Sequence, residues 1–261
     1  MKDYEVRRIF RKGQLCYHST EFIDAGSMFR ACRLNKTEHE LNALRGAAEH
    51  SARGIETVIS KVKIGMTEKE IAVMVANELS ERTGELVPFN LVQVGQNSAI
   101  PHAQATDKKL QNGDVLLVDA GTTFKYYYGD ITNTTIIGRP NKKFLEIYDL
   151  VEEANRRAFE ASKAGAIPEE VDQAARSFLE SKGYGKYFTH RTGHGIGLDG
   201  HEDPHIAKDN KTPLETSQAH SVEPGIYIST KFGVRIEDDV IVRAGKSERA
   251  CQPVRLLWEK A

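Results

Sequence analysis

A segment of this sequence recurs 100 positions later. Residues 63–71 read KIGMTEKEI and residues 163–171 read KAGAIPEEV, and the two align without a gap. An interval of 18 residues between a glycine and a histidine also recurs, at 84–102 and 183–201. Chance is the alternative explanation, but the matched spacing favours a divergent duplication. Two copies of one unit usually pack about a pseudo-twofold axis, which predicts two similar halves with a crevice between them.

Each copy contains a pair of predicted helices. Thr37 and Thr67 both precede a glutamate by three positions, which is the capping-box pattern of a helix start. Apolar residues then recur at helical spacing, and Gly84 predicts the end of the second helix. In the second copy, helices are predicted from about 144 to 164 and over 168–183, the latter opening with a proline.

Apolar and β-branched runs follow each helix pair and predict strands. They lie at 115–118, 131–137, 225–228 and 233–236. Because successive strands lie close together in sequence, we expect antiparallel hairpins. The predicted class is therefore α+β, with two pseudo-symmetric halves and a curved antiparallel sheet covered by helices.

The charge balance restricts the partners. Lys plus Arg is 36 and Asp plus Glu is 37, so the formal net charge of −1 favours neither nucleic acid nor a membrane surface. No apolar run approaches the ~18 residues of a membrane helix, and the first residues contain no apolar core of a secretory signal. Cys16, Cys32 and Cys251 form no CxxC pair, and a reducing, cytoplasmic location is expected.

Two acidic residues bracket each of two predicted hairpins. Asp119 ends an apolar strand and Asp130 begins the next strand. Glu223 and Glu237 bracket a second hairpin, with its turn at 231–233. Carboxylates in such places are costly unless they are paired or bind a cation, and adjacent carboxylates repel unless a proton or a metal lies between them. The pseudo-twofold axis would bring all four acids together.

A glycine-rich segment between the hairpins, residues 190–204, contains His190, His194 and His201. The i, i+4 spacing of the first two could indicate a zinc-binding helix, but the alternating glycines at 193–197 argue against a helix. Such glycines suit a strand or loop whose backbone approaches a ligand closely. One histidine would then be a ligand, and the others would face the substrate.

Four carboxylates and one imidazole suit two divalent cations. Two ions about 3.5–4 Å apart can share a carboxylate and activate one water, and an oxygen-rich, sulfur-free set of ligands fits Mn, Co, Fe or Zn. Each residue alone is more simply explained as a salt-bridge acid or a core histidine, and only the paired arrangement favours a metal site. The predicted ligands are Asp119, Asp130, His194, Glu223 and Glu237.

These residues lie in motifs that resemble the Xaa-Pro peptidase branch of the pita-bread metallopeptidases, which contains aminopeptidase P and prolidase. The motifs are VLLVDAG at 115–121, GDITNT at 129–134, TGHGIGL at 192–198, HEDP at 201–204, VEPGIY at 222–227 and VRIEDD at 234–239. The resemblance implies the pita-bread fold, with a catalytic domain over 36–261. It leaves 1–35 as an N-terminal extension, where members of the branch usually carry a separate domain.

The resemblance also implies how the ligands are shared between the ions. Asp119 would chelate one ion, while His194 and Glu223 bind the other. Asp130 and Glu237 would bridge the two ions.

Further roles implied by the resemblance concern the substrate. Substrate binding and proton transfer would fall to His102, His190 and His201, which the residues alone would describe as ordinary loop histidines. Glu223 would also move a proton from the attacking water to the leaving nitrogen. The implied activity is dinuclear-metal-dependent hydrolysis of the Xaa-Pro bond at the N-terminus of short peptides. The alternatives are a methionine aminopeptidase-like enzyme, a metal-containing amide hydrolase and a non-catalytic pita-bread binding module; the oligomeric state, a homodimer included, stays open.

Overall fold

The computed structural model describes residues 24–255, which form five α-helices and twelve strands. The helices are α1 (Gly26–Leu34), α2 (Glu38–Lys61), α3 (Glu68–Thr83), α4 (Lys142–Ala161) and α5 (Pro168–Ser181). The strands are β1 (Phe89–Val94), β2 (Val115–Gly121), β3 (Thr123–Phe124), β4 (Tyr127–Tyr128), β5 (Ile131–Ile136), β6 (Gly193–Gly195), β7 (Glu202–Ile206), β8 (Ala219–Val222), β9 (Gly225–Ile228), β10 (Phe232–Arg235), β11 (Asp238–Ile241) and β12 (Glu248–Arg249). Most of the predicted extension, with Cys16, lies outside the described residues, within which Cys32 and Cys251 are free thiols.

Local sequence signals determine where the helices begin and end. Both predicted capping boxes are present: in the first, the Thr37 hydroxyl accepts from the Glu40 N–H while the Glu40 carboxylate accepts from the Thr37 N–H. Helix α3 ends at Gly84, whose φ of +69° is left-handed. Helix α5 begins with Pro168 in its first turn, as the sequence predicts.

The duplication is visible in matching backbone hydrogen bonds. The Gly65 N–H donates to the Leu110 carbonyl at 2.8 Å, and the Gly165 N–H donates to the Leu214 carbonyl at 2.7 Å. Both glycines turn the chain into the helix that follows, with φ of +95° and +85°. Residues other than glycine rarely adopt a positive φ, because their Cβ clashes with the backbone. This requirement explains why both copies have a glycine here.

The two halves contain sheets with the same internal order. In the first half the order is β1-β2-β5, and in the second β6, β8 and β11 run side by side within the order β12-β11-β8-β6-β7. All the strand pairings are antiparallel. The sheets meet where the Glu237 N–H donates to the Thr132 carbonyl at 3.1 Å and the Asp130 N–H donates to Asp239 Oδ2 at 2.9 Å. This junction joins the starts of β5 and β11.

One apolar core supports each half. In the first, α2 and α3 pack through residues such as Leu44 and Ile71 against Val92 and Leu116 of the sheet. In the second, α4 and α5 cover the strands around Val222. Burying a Leu or Ile side chain contributes about 1.5–3 kcal/mol, so these cores stabilise the sheets on which the junction is built. None of the helices in 24–255 has both the length and the apolar character of a membrane span.

Candidate functional site

A cavity of about 590 Å³ lies where the two sheets meet. Every residue that the sequence analysis predicted for the site lines it: His102, Asp119, Asp130, His190, His194, His201, Glu223 and Glu237. The wall is completed by Phe89, Leu91, Arg191 and Gly200, which the sequence analysis did not single out. A cavity of this volume suits a small-molecule or short-peptide ligand.

The ends of paired strands place the four carboxylates. Asp119 follows four buried apolar residues in β2, and Asp130 immediately precedes β5. Glu223 lies directly after β8 and Glu237 directly before β11. The prediction that Asp119 ends its strand is wrong, because β2 continues to Gly121. Each copy nevertheless delivers one acid near the end of a strand and one just before the next strand, as the pseudo-twofold relation between the halves predicts.

Within residues 24–255, three groups of acidic and histidine side chains have ligand atoms within 4.8 Å of one another. The groups are Asp119 with Asp130 and Glu237; His194 with Glu223 and Glu237; and Asp130 with His194 and His201. Glu237 belongs to the first two groups, so these adjoin and together contain all five predicted ligands. His201, which was predicted on the substrate side, lies close enough to belong to the third group.

His194 directs a lone pair at two carboxylates. Its Nδ1 lies 3.1 Å from the Gly195 carbonyl, so Nδ1 carries the hydrogen and Nε2 is unprotonated. Nε2 lies 3.3 Å from Glu223 Oε1 and 3.6 Å from Asp130 Oδ2. Burial, with a further contribution from His201, lowers the pKa of His194 to about 3, so the ring is neutral. A lone pair facing carboxylate oxygens requires a proton or a cation between them.

Burial also opposes full ionisation of the acids. The pKa values of Asp130 and Glu237 lie well above their usual range, mainly because of burial and further because of neighbouring carboxylates. Burial raises the pKa of Glu223 to about 7. Among the described residues, the buried oxygens Asp119 Oδ1 and Asp130 Oδ1 have no hydrogen-bond partner. These unmatched oxygens and the neutral imidazole fit divalent cations that accept oxygen and nitrogen ligands.

A buried arginine contacts the acids, and the sequence analysis assigned it no role. Arg235 is 1% exposed; its Nη2 donates to Asp119 Oδ2 and its Nε donates to Thr132 Oγ1 at 3.1 Å. Thr132 in turn donates to Glu237 Oε2 at 2.6 Å. The sequence did contain a sign that Arg235 belongs to the site. Arg235 is a charged residue in an otherwise apolar strand, and a residue two positions before Glu237 lies on the same face of the strand.

The charges of the site favour an anionic reactant. Four carboxylates and one guanidinium sum to −3, so two dications would leave +1, which suits an anionic nucleophile or oxyanion.

The same arginine reaches His190 through a tyrosine. Arg235 Nη1 donates to the Tyr227 hydroxyl at 2.8 Å, and that oxygen lies 2.8 Å from His190 Nε2. His190 Nδ1 lies 2.8 Å from the Arg191 carbonyl. Burial and then the charge of Arg235 lower the pKa of His190 to about 4, so this ring is neutral. Both of its nitrogens have partners within the protein, whereas His102 and His201 are exposed.

The glycines at 193–197 allow close packing of strands. Gly193 and Gly195 lie in β6, so the argument against a helix is confirmed. A Cβ on Gly193 would lie 1.9 Å from the Ser221 carbonyl oxygen, and one on Gly195 would lie 2.2 Å from that of Asp203. At these two positions the atoms that a side chain would meet are backbone atoms of the protein itself. The tight pairing fixes His194 between them.

Comparison with known proteins gives consistent matches. Residues 42–244 match metallopeptidase family M24. The Xaa-Pro dipeptidase of Pyrococcus furiosus is 36% identical over 238 residues, which are 91% of this chain and 68% of that protein. Among solved structures, the X-Pro aminopeptidase from Thermotoga maritima has a TM-score of 0.93 and 36% identity, covering 100% of this chain and 73% of that one. The prolidase from Pyrococcus furiosus has a TM-score of 0.91 and 34% identity, and the match covers 98% of this chain and 74% of the prolidase. The chain therefore belongs to metallopeptidase family M24 and has the pita-bread fold.

Proposed function

We propose that this protein is a dinuclear-metal-dependent peptidase that hydrolyses the Xaa-Pro bond at the N-terminus of short peptides. The observation that carries the proposal is the pair of adjoining ligand groups that share Glu237 in a cavity of peptide size. The relatives named Xaa-Pro dipeptidase and X-Pro aminopeptidase support the substrate class. A non-catalytic binding module would have no need for five buried or half-buried ligands in one place.

Five residues would hold two divalent ions, with Mn, Co or Zn suited to the ligand atoms. Asp119 would bind one ion, and His194 with Glu223 the other. Asp130 and Glu237 would be shared, which agrees with their membership of more than one ligand group. Divalent ions supply Lewis-acid catalysis by polarising a carbonyl and lowering the pKa of water.

The remaining chemistry belongs to side chains that line the cavity. The Glu223 carboxylate, whose side chain is 14% exposed, would accept a proton from the attacking water and deliver it to the leaving nitrogen. His102 and His201, both exposed, would hydrogen-bond the oxyanion that develops on the carbonyl. Phe89 and Leu91 of β1 form an apolar part of the wall, which suits a proline ring.

The test is release of the first residue from Xaa-Pro peptides after chelation and after reloading with Mn or Co. Asp130→Ala should lose both activity and bound metal. Asp107→Ala is the matched control, because Asp107 is an acid with an 82% exposed side chain that pairs with Lys69 on the surface. Activity that survives chelation, or that survives Asp130→Ala, would contradict the proposal. A parallel panel of Met-Ala peptides and acylated amino acids separates the alternative substrate classes.

A further inference from the structure

The segment before α2 contacts the loop that carries His201. Lys36 lies between α1 and α2, and its side chain is only 2% exposed. Its Nζ donates to Glu202 Oε1 at 2.6 Å and to the Leu34 carbonyl at 3.3 Å. Arg33, in the last turn of α1, donates from Nη2 to Glu202 Oε2 at 2.6 Å. Two cations therefore hold both carboxylate oxygens of the residue that follows His201.

This arrangement is a poor means of stabilising a protein. A buried ammonium is costly unless it is well paired, and a buried ion pair is often no more stabilising than an apolar replacement of similar size. Its best-supported effect is to specify one geometry among several. Glu202 shares this environment, because its side chain is only 10% exposed.

Glu202 also packs closely against a glycine backbone. A Cβ on Gly197 would lie 2.5 Å from Glu202 Oε1, so the carboxylate lies directly over this glycine. Gly197 is held in turn, since its carbonyl accepts from the Tyr128 N–H at 2.8 Å. The backbone of Glu202 pairs with Gly195 in the β6–β7 register. Glu202 is thus fixed through both its side chain and its backbone.

His201 is joined directly to Glu202, so the position of its backbone depends on how Glu202 is held. Its side chain is exposed and lines the cavity, and the protein therefore encloses its ring less than that of the buried His194. Its ring centroid nevertheless lies 3.8 Å from that of His194, close to the proposed metal ligands. A displacement of about 1 Å at such a distance can reduce catalysis up to about a hundredfold.

We propose that Lys36 and Arg33 are positioning residues that act through Glu202 to present His201 to the reacting carbonyl. This inference rests on the proposed function, in which His201 contacts the substrate. Lys36 lies before residues 42–244, which match the family. The inference therefore extends the catalytic unit to the last turn of α1 and the segment that joins α1 to α2.

Single variants of the metal-loaded enzyme give the first readout. Lys36→Met should lower kcat for an Xaa-Pro peptide about tenfold or more, with KM and bound metal nearly unchanged. Lys36→Arg should restore most of the loss, because it keeps a cation beside Glu202. Lys61→Met is the control, since Lys61 pairs with Glu78 at 3.2 Å on a surface that does not line the cavity. Arg33, whose side chain is 35% exposed, is the second cation beside Glu202, and Arg33→Gln should lower kcat in the same way.

A double-mutant cycle gives the decisive readout. In a His201→Asn background, Lys36→Met and Arg33→Gln should lower kcat no further, because the residue through which they act is gone. An equal fold-loss in both backgrounds, or no effect in the wild-type background, would overturn the positioning role while leaving the proposed function intact. A His201→Asn variant with unchanged kcat would instead remove the role of His201, and with it this inference.

Discussion

Replacing Arg235 with methionine should destabilise the metal-free protein more than the metal-loaded protein. The guanidinium is 1% exposed and donates to Asp119, Tyr227 and Thr132. Removing one partner of a buried ion pair costs about 3–5 kcal/mol, because the other charge remains buried and unpaired. In the metal-loaded protein a cation beside Asp119 replaces the lost charge, so the cost should fall by at least about half.

With all four acids ionised, as metal binding requires, the same substitution changes the formal charge of the site from −3 to −4, so the metal affinity of the variant should rise. Urea denaturation in chelator and in excess Mn²⁺ measures both effects, since bound metal adds stability that grows with the logarithm of its affinity. Arg53→Met is the control: Arg53 has a 52% exposed side chain paired with Glu49 and Glu56, and such exposed pairs contribute little to stability. An equal loss of stability with and without metal would refute this reasoning.

Two further predictions concern pH and substrate length. Burial raises the pKa of Glu223 from its usual 4.5 to about 7, so between these values the folded metal-free protein holds a proton that the unfolded chain releases. Its stability relative to Glu223→Gln should therefore fall as pH rises from 5 to 7, and a flat difference in urea midpoints would contradict the shift. Arg191 is the arginine that lines the cavity, and guanidinium groups bind carboxylates. Arg191→Gln should raise KM for Xaa-Pro dipeptides but not for their C-terminal amides, and equal KM changes would remove this role.

The features that could be predicted from the sequence depend on neighbours along the chain. The capping box at Thr37 involves a residue three positions away, and the strand before Asp119 is a continuous apolar run. The meeting of Asp119 with Glu237 is long-range, but the 100-residue repeat made it predictable because symmetry relates the two hairpins. Local pattern and symmetry thus accounted for the five predicted metal ligands in the cavity, whereas the places of His102, His190 and His201 followed from the family resemblance.

The features that could not be predicted involve single contacts between distant residues with no repeat to relate them. Arg235 reaches Asp119 across 116 positions, and Lys36 reaches Glu202 across 166. Nothing near either cation in the sequence identifies its partner. The close neighbours of Gly193 and Gly195 are likewise backbone atoms of other strands, a property that tertiary packing alone determines.

The number of metal ions bound per chain tests the central claim most directly. After loading with Mn²⁺ and removal of free metal, the wild-type protein should retain about two ions per chain. Glu237→Ala should lose affinity for both, because Glu237 belongs to both adjoining ligand groups. A fully active wild-type protein without stoichiometric metal, or a Glu237→Ala variant that still binds two ions tightly, would contradict the account.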